Sequence, residues 1–177
     1  MRFAYYDGLP ADSKRTYRKS DAIRRVVLPD VAALRVLPPL IAQALERGDR
    51  AAIERACQVL VDAVNVQLET PPVVLRVLER RPANSEGELH GLYEPDEVTG
   101  GTARITVWMR TAAREQVVKF RTFLRTVSHE MCHHLDYEHY GLAQTFHTEG
   151  FYARESSLVK DVLGEPLSPA SRKTTRK

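Results

Sequence analysis

Apolar positions recur at helical spacing over most of the chain and alternate only in a short central stretch. Residues 31–48, "VAALRVLPPLIAQALERG", form the first such run: Asp30 can cap it, Pro38-Pro39 should interrupt or restart it, and Gly48 should close it. Asp49 can cap a second helix, in which Ile53, Ala56, Cys57, Leu60, Val61 and Val64 share one face. That phase makes Cys57 a small core residue. Pro71-Pro72 ends this helix, and "VVLRVLE" after it is rich in strand formers. Residues 81–88 read as a loop, followed by a hairpin-like pair: "LHGLYEP", the turn "DEVTGG", then "ARITVWMR". In its second strand Ile105 and Val107 face one side and Thr106 and Trp108 the other, with Trp108 assigned to the core. The longest helix is expected from Arg114 to about Tyr140, and a last one from Glu149 to Leu163, stopped by Gly164 and Pro166. Helices, a small sheet, then helices again make the fold class α+β.

Length and composition add bounds. The 177 residues suit a single domain, placed at 29–166, after an irregular extension at 1–28 and before a disordered basic tail at 167–177. Charged residues make up 28% and the net charge is +3, part of it in "SPASRKTTRK". That tail is a solvated end, or makes a weak nucleic-acid contact; so small a charge does not decide. The two cysteines, Cys57 and Cys132, form no CxxC pattern. With no apolar run long enough for a signal peptide or a bilayer span, the expected compartment is the cytoplasm, with no membrane partner.

The chemistry gathers in "TVSHEMCHHLDYEHYGLAQTFHTEGFY", Thr126 to Tyr152, which holds five of the six histidines. "HEMCH" fits H-E-x-x-H. Residues four apart on a helix lie nearly above one another, so His129 and His133 can reach one metal ion, while Glu130, offset by one residue, can act on a water without being a ligand. At about 100° per residue, Val117, Phe120, Leu124, Val127, Met131 and Leu135 form an apolar arc. His129 and His133 fall on roughly the opposite side, near Thr122, Thr126 and Asp136. A pair buried for packing alone would not have that phase.

Several residues can supply a third ligand. His139 sits where some H-E-x-x-H zinc enzymes carry theirs, but their helix-breaking glycine is Asp136 here, and the next glycine is Gly141. On a helix continuing to Gly141, His139 lies about 9 Å beyond His133 along the axis, too far for the same ion. His147 follows the Gly141 turn and the loop "LAQTF", where a reversing chain can return over the first helix. Glu149 or Glu155, on the last helix, is a further possibility. Of the rest, His134 reads as a structural hydrogen-bonding group. Asp136 either holds a ligand imidazole from behind or simply sits near the helix end. Tyr152 either packs or donates to an oxyanion, and Cys132 does not have the spacing for this metal.

"HEMCHHLD…FHTEGFYARESSL" resembles the SprT-like and WLM-like zinc peptidases, which pair H-E-x-x-H with a later H-x-x-x-F; His147 to Phe151 fits that pattern. The likeness covers about residues 89–163, and "GLYEP…ARITVWM" matches the family's order of an edge strand before the active helix. The chain lacks the family's usual glycine directly after the third histidine and any zinc ribbon. The resemblance implies a zincin-like fold, a small mostly antiparallel sheet packed on the H-E-x-x-H helix, here with additional N-terminal helices. It further implies Zn²⁺ on His129, His133 and His147, Glu130 as general base, and a peptide or protein substrate. The expected substrate path is an added strand along "ARITVWM". The rival expectation is a zinc-stabilised module that binds nucleic acid or protein without turnover.

Overall fold

The computed structural model describes residues 3–85 and 87–166. The expected tail at 167–177 lies outside the described residues.

The first difference from the sequence reading comes at the N-terminus. Residues 1–28 were expected to be irregular, yet Ala11–Ala22 form a helix, α1, preceded by a short 3-10 turn at Ala4–Gly8. α1 is polar, "ADSKRTYRKSDA", and buries only Tyr17 and Ser20. With so little apolar periodicity, its order comes from tertiary contacts with the C-terminal part of the chain.

The next two helices follow the sequence closely. Asp30 accepts from the Ala33 N–H at a 3-10 turn, Ala32–Leu34, and α2 restarts at Leu37–Glu46 with its prolines in the first turn, where a missing N–H leaves nothing unpaired. Asp49 caps α3, Arg50–Leu68, through the Ala52 N–H, and Cys57 is buried in the core.

The main sheet holds β1 (Val73–Arg80), β4 (Gly91–Glu94) and β5 (Ala103–Arg110) in the order β1-β5-β4. A separate two-residue hairpin, β2 (Ala83–Asn84) with β3 (Gly87–Glu88), occupies part of the expected loop, and a single helical turn, α4 (Asp96–Thr99), joins β4 to β5. The β4–β5 pair is antiparallel as expected, but β1 runs parallel to β5 over a longer register, Val73↔Ala103 to Arg80↔Arg110. The sheet is therefore mixed, and the expectation of a mostly antiparallel one is corrected. β5 is its central strand, so both its edges are already paired; an incoming strand cannot add along "ARITVWM". β4 is the edge on that side.

One sheet face, with Val73, Leu75, Val77, Ala103, Ile105, Val107 and Met109, packs into a single core with residues from α2, α3, α5 (Phe120–Glu138) and α6 (Glu149–Leu163). α5 begins at Phe120 rather than Arg114, because Val117 is drawn into a bridge with Arg110. It ends at Glu138, with His139 as its C-cap.

β1's outer edge is closed by side chains of α3. Gln58 accepts from the Leu75 N–H and donates to the Val73 carbonyl, Glu54 accepts from the Val77 N–H, and Arg50 donates to the Val77 carbonyl. These three residues lie four apart, one above another on the helix, and they occupy backbone groups that would otherwise template a further strand.

Candidate metal centre

α5 presents its apolar side, Phe123, Leu124, Val127, Met131 and Leu135, to the core. His129 and His133 leave the opposite side, as the helical phase requires, and open into a cleft of about 600 Å³. Its walls are β4 with the residues leading into it, the 129–133 turn of α5, and the segment carrying Thr145 and His147.

His147 precedes α6, whose N-cap Thr148 accepts from the Phe151 N–H. The chain leaves α5 after Glu138, turns at Gly141 (φ 56°) and comes back over the helix. The three Nε2 atoms then form a nearly equilateral triangle: His129 to His147 3.0 Å, His133 to His129 3.2 Å and His147 to His133 3.1 Å. A tetrahedral ion bound at about 2.0–2.1 Å needs nitrogen–nitrogen edges of about 3.3–3.4 Å. The triangle is within a few tenths of an ångström of that, so these three histidines are placed to hold one metal ion. His139 is exposed, meets the Tyr140 ring edge-on, and is outside the group of candidate ligands.

Protonation in the metal-free protein suits a ligand role. Burial, aided by the neighbouring histidines and Arg154, pushes His133 down to about 3; burial and then His129 lower His147. Both are neutral, as metal-ligating imidazoles must be.

Glu155 was a possible ligand from the sequence, but both its oxygens are taken. Oε2 accepts from His129 Nδ1 at 2.8 Å and Oε1 from Arg125 Nε at 2.5 Å. Burial would raise its pKa, but these two bonds outweigh it and hold the carboxyl below its usual range. Glu155 is thus a carboxylate behind His129, turning that ring's Nε2 toward the triangle. Glu149, the other carboxylate considered, is outside the group of candidate ligands.

Asp136 is fully buried and reaches a ligand indirectly. It accepts from Thr145, whose hydroxyl is in turn 2.7 Å from His133 Nδ1. Burial raises the Asp136 carboxyl, while Arg154 and Thr145 pull it down. His134 has the expected structural role, bonded to the Pro71 carbonyl through Nε2 and to the Tyr93 hydroxyl through Nδ1. Cys132 is fully buried, its thiol raised by that burial, and it is outside the group of candidate ligands. Trp108 is buried and absent from the cleft walls.

Glu130 is 5% exposed and lines the same cleft. Burial first, and the nearby Glu155 carboxylate, raise its pKa to about 7 against the opposing pull of His129 and a hydrogen bond from the Tyr93 backbone. Glu130 is outside the group of candidate ligands, and a carboxyl in that range can gain or lose a proton near neutrality. The Tyr93 backbone belongs to β4, so the edge strand and the Glu130 carboxyl meet directly.

Sequence reasoning missed Gly91, Thr145 and Arg154. Thr145 lies in a loop with no motif, and Arg154 looks like an ordinary charged position on a surface helix. Compared with protein-family models, with curated proteins and with solved structures, the chain matches none of them. Among the described residues no helix is long and apolar enough to cross a membrane.

Proposed function

We propose that the protein is a zinc-dependent metallopeptidase of zincin-like architecture, akin to the SprT-like and WLM-like enzymes, with His129, His133 and His147 holding the ion and Glu130 as general base. The observation that carries this reading is the three-nitrogen triangle with a buried carboxylate of raised pKa beside it in one open cleft. Three imidazoles suit zinc, though also copper, iron and nickel. Three ligands leave a coordination position for chemistry, whereas structural zinc sites are four-coordinate and usually contain cysteine.

A peptide substrate lies along β4, the uncovered edge of the sheet, and pairs with its backbone so that a carbonyl is carried over the triangle. Zinc, when bound, polarises that carbonyl and lowers the pKa of the attacking water. Glu130 takes the proton from the water and passes it to the leaving amine nitrogen as the C–N bond breaks. The cleft's burial and the Tyr93 backbone contact keep the carboxylate aimed.

Glu130→Gln separates this reading from a zinc-stabilised binding module. The variant retains metal uptake and loses turnover of an unfolded protein substrate by about 10²–10⁴-fold. Wild-type protein that takes up zinc and cleaves nothing supports the binding module instead.

A further inference from the structure

Behind His133 a buried chain of polar groups runs to the N-terminal helix, and no step of the proposed reaction uses it. Arg154 and Asp136 are both 0% exposed. Arg154 Nη2 donates to Asp136 Oδ1 at 2.6 Å and to the Ser20 hydroxyl at 3.0 Å, while Nη1 donates to the carbonyls of Ser20 at 2.6 Å and Ile23 at 2.5 Å. The other Asp136 oxygen, Oδ2, accepts from the Thr145 hydroxyl at 2.9 Å, and Thr145 Oγ1 is 2.7 Å from His133 Nδ1.

Proton counting fixes the direction of every bond in this chain. A guanidinium only donates, and a carboxylate beside it only accepts. Thr145 has one proton, which goes to Asp136. Its oxygen must then accept, so His133 Nδ1 carries a hydrogen and Nε2 is left with a lone pair facing the triangle. His129 receives the same treatment from Glu155 directly. For His133 the available carboxylate lies three residues further along the same helix and bonds the hydroxyl instead, so Thr145 closes the gap.

We propose that Thr145 is a positioning residue for the metal site: anchored through Asp136 and Arg154 to the end of α1, it sets the tautomer and ring orientation of His133. This rests on the reading of the triad as a metal site. It also gives the N-terminal segment a role, since the Ser20 and Ile23 carbonyls hold the far end of the chain. Gly150 lets the two parts approach this closely, because a Cβ there would lie 2.5 Å from the Ser20 carbonyl oxygen and 2.7 Å from the Asp21 carbonyl carbon.

Thr145 lies in a partly exposed loop, so replacing it leaves the core intact. The test compares full-length wild type, Thr145→Val and Thr145→Ser. Zinc affinity is measured by competition with a chromophoric chelator, and the His133 tautomer by ¹⁵N NMR on chelator-stripped protein. Wild type and Thr145→Ser show His133 protonated at Nδ1. Thr145→Val loses that preference and binds zinc about 10–100-fold more weakly. A His133 protonated at Nε2 in wild type, or a Thr145→Val protein with wild-type tautomer and affinity, overturns the proposal. Wild type that takes up no zinc refutes the metal-site reading instead, and the NMR comparison still decides whether Thr145 sets the tautomer.

Discussion

Gly91 on β4 and Glu130 on α5 are in such close contact that a Cβ at residue 91 would overlap Oε1 of Glu130 and lie 2.8 Å from its Cδ and Cγ. The edge strand meets α5 here through bare backbone. A methyl group would push aside the end of a flexible side chain, not a backbone, so Gly91→Ala should fold and bind metal as wild type does. The displaced carboxylate should lower kcat by about 10²-fold, the usual cost of an ångström's misplacement. Unchanged kcat in a crystallographically verified variant would mean that Glu130 is not the base.

Glu155 offers a second, separable prediction. Removing it in Glu155→Ala takes away the acceptor of the His129 Nδ1–H and leaves Arg125 beside the histidines. Zinc affinity should fall about 10–100-fold, read by chelator competition. A ligand role would abolish binding altogether, which is the outcome that would make Glu155 a metal ligand.

The α3 row that closes β1 can be tested apart from catalysis. In Gln58→Leu the Leu75 N–H and the Val73 carbonyl lose their partner while the side chain's bulk is kept. Stability should drop by about 1–3 kcal/mol in urea melts, and size-exclusion profiles should become concentration-dependent as the exposed edge pairs between copies. An unchanged, monomeric variant would show that the row does not protect the edge.

Acid sensitivity of the metal-free protein follows from the site's titrating groups, with two opposing signs. His133, His134 and His147 are lowered by burial, so the unfolded chain binds more protons than the folded one below the ordinary histidine range. Their contribution to stability is complete above about 6.5 and is lost as the pH falls. Glu130, raised by burial to about 7, works the other way and gains stability over the same interval. Chelator-stripped Glu130→Gln should therefore lose stability more steeply than wild type between about pH 7 and 5. Parallel curves in denaturant melts would contradict the raised Glu130 pKa.

How far the sequence revealed this arrangement depended on whether the signal was local. α3 and α6 follow from apolar periodicity and end signals that the chain carries within each segment. The His129–His133 phase on α5 is likewise a property of one helix. His147 could be selected because Gly141 sets where the chain reverses. α1 gave no such signal: its order comes from Arg154 and the Gly150 contact, more than a hundred residues away. The parallel pairing of β1 with β5 is also non-local, and it makes β4 rather than β5 an edge of the sheet. Thr145 has meaning only through Asp136 on one side and His133 on the other, which no spacing rule encodes.

The account's central claim is one ion held by three imidazoles with a coordination position to spare. X-ray absorption at the zinc edge, on protein loaded with one equivalent, tests it most directly. The expected spectrum has three nitrogen scatterers at about 2.0–2.1 Å with imidazole multiple scattering and one further light atom, and it loses one imidazole in His147→Ala. A sulfur contribution, a fourth histidine, or a spectrum unchanged by His147→Ala would contradict the account.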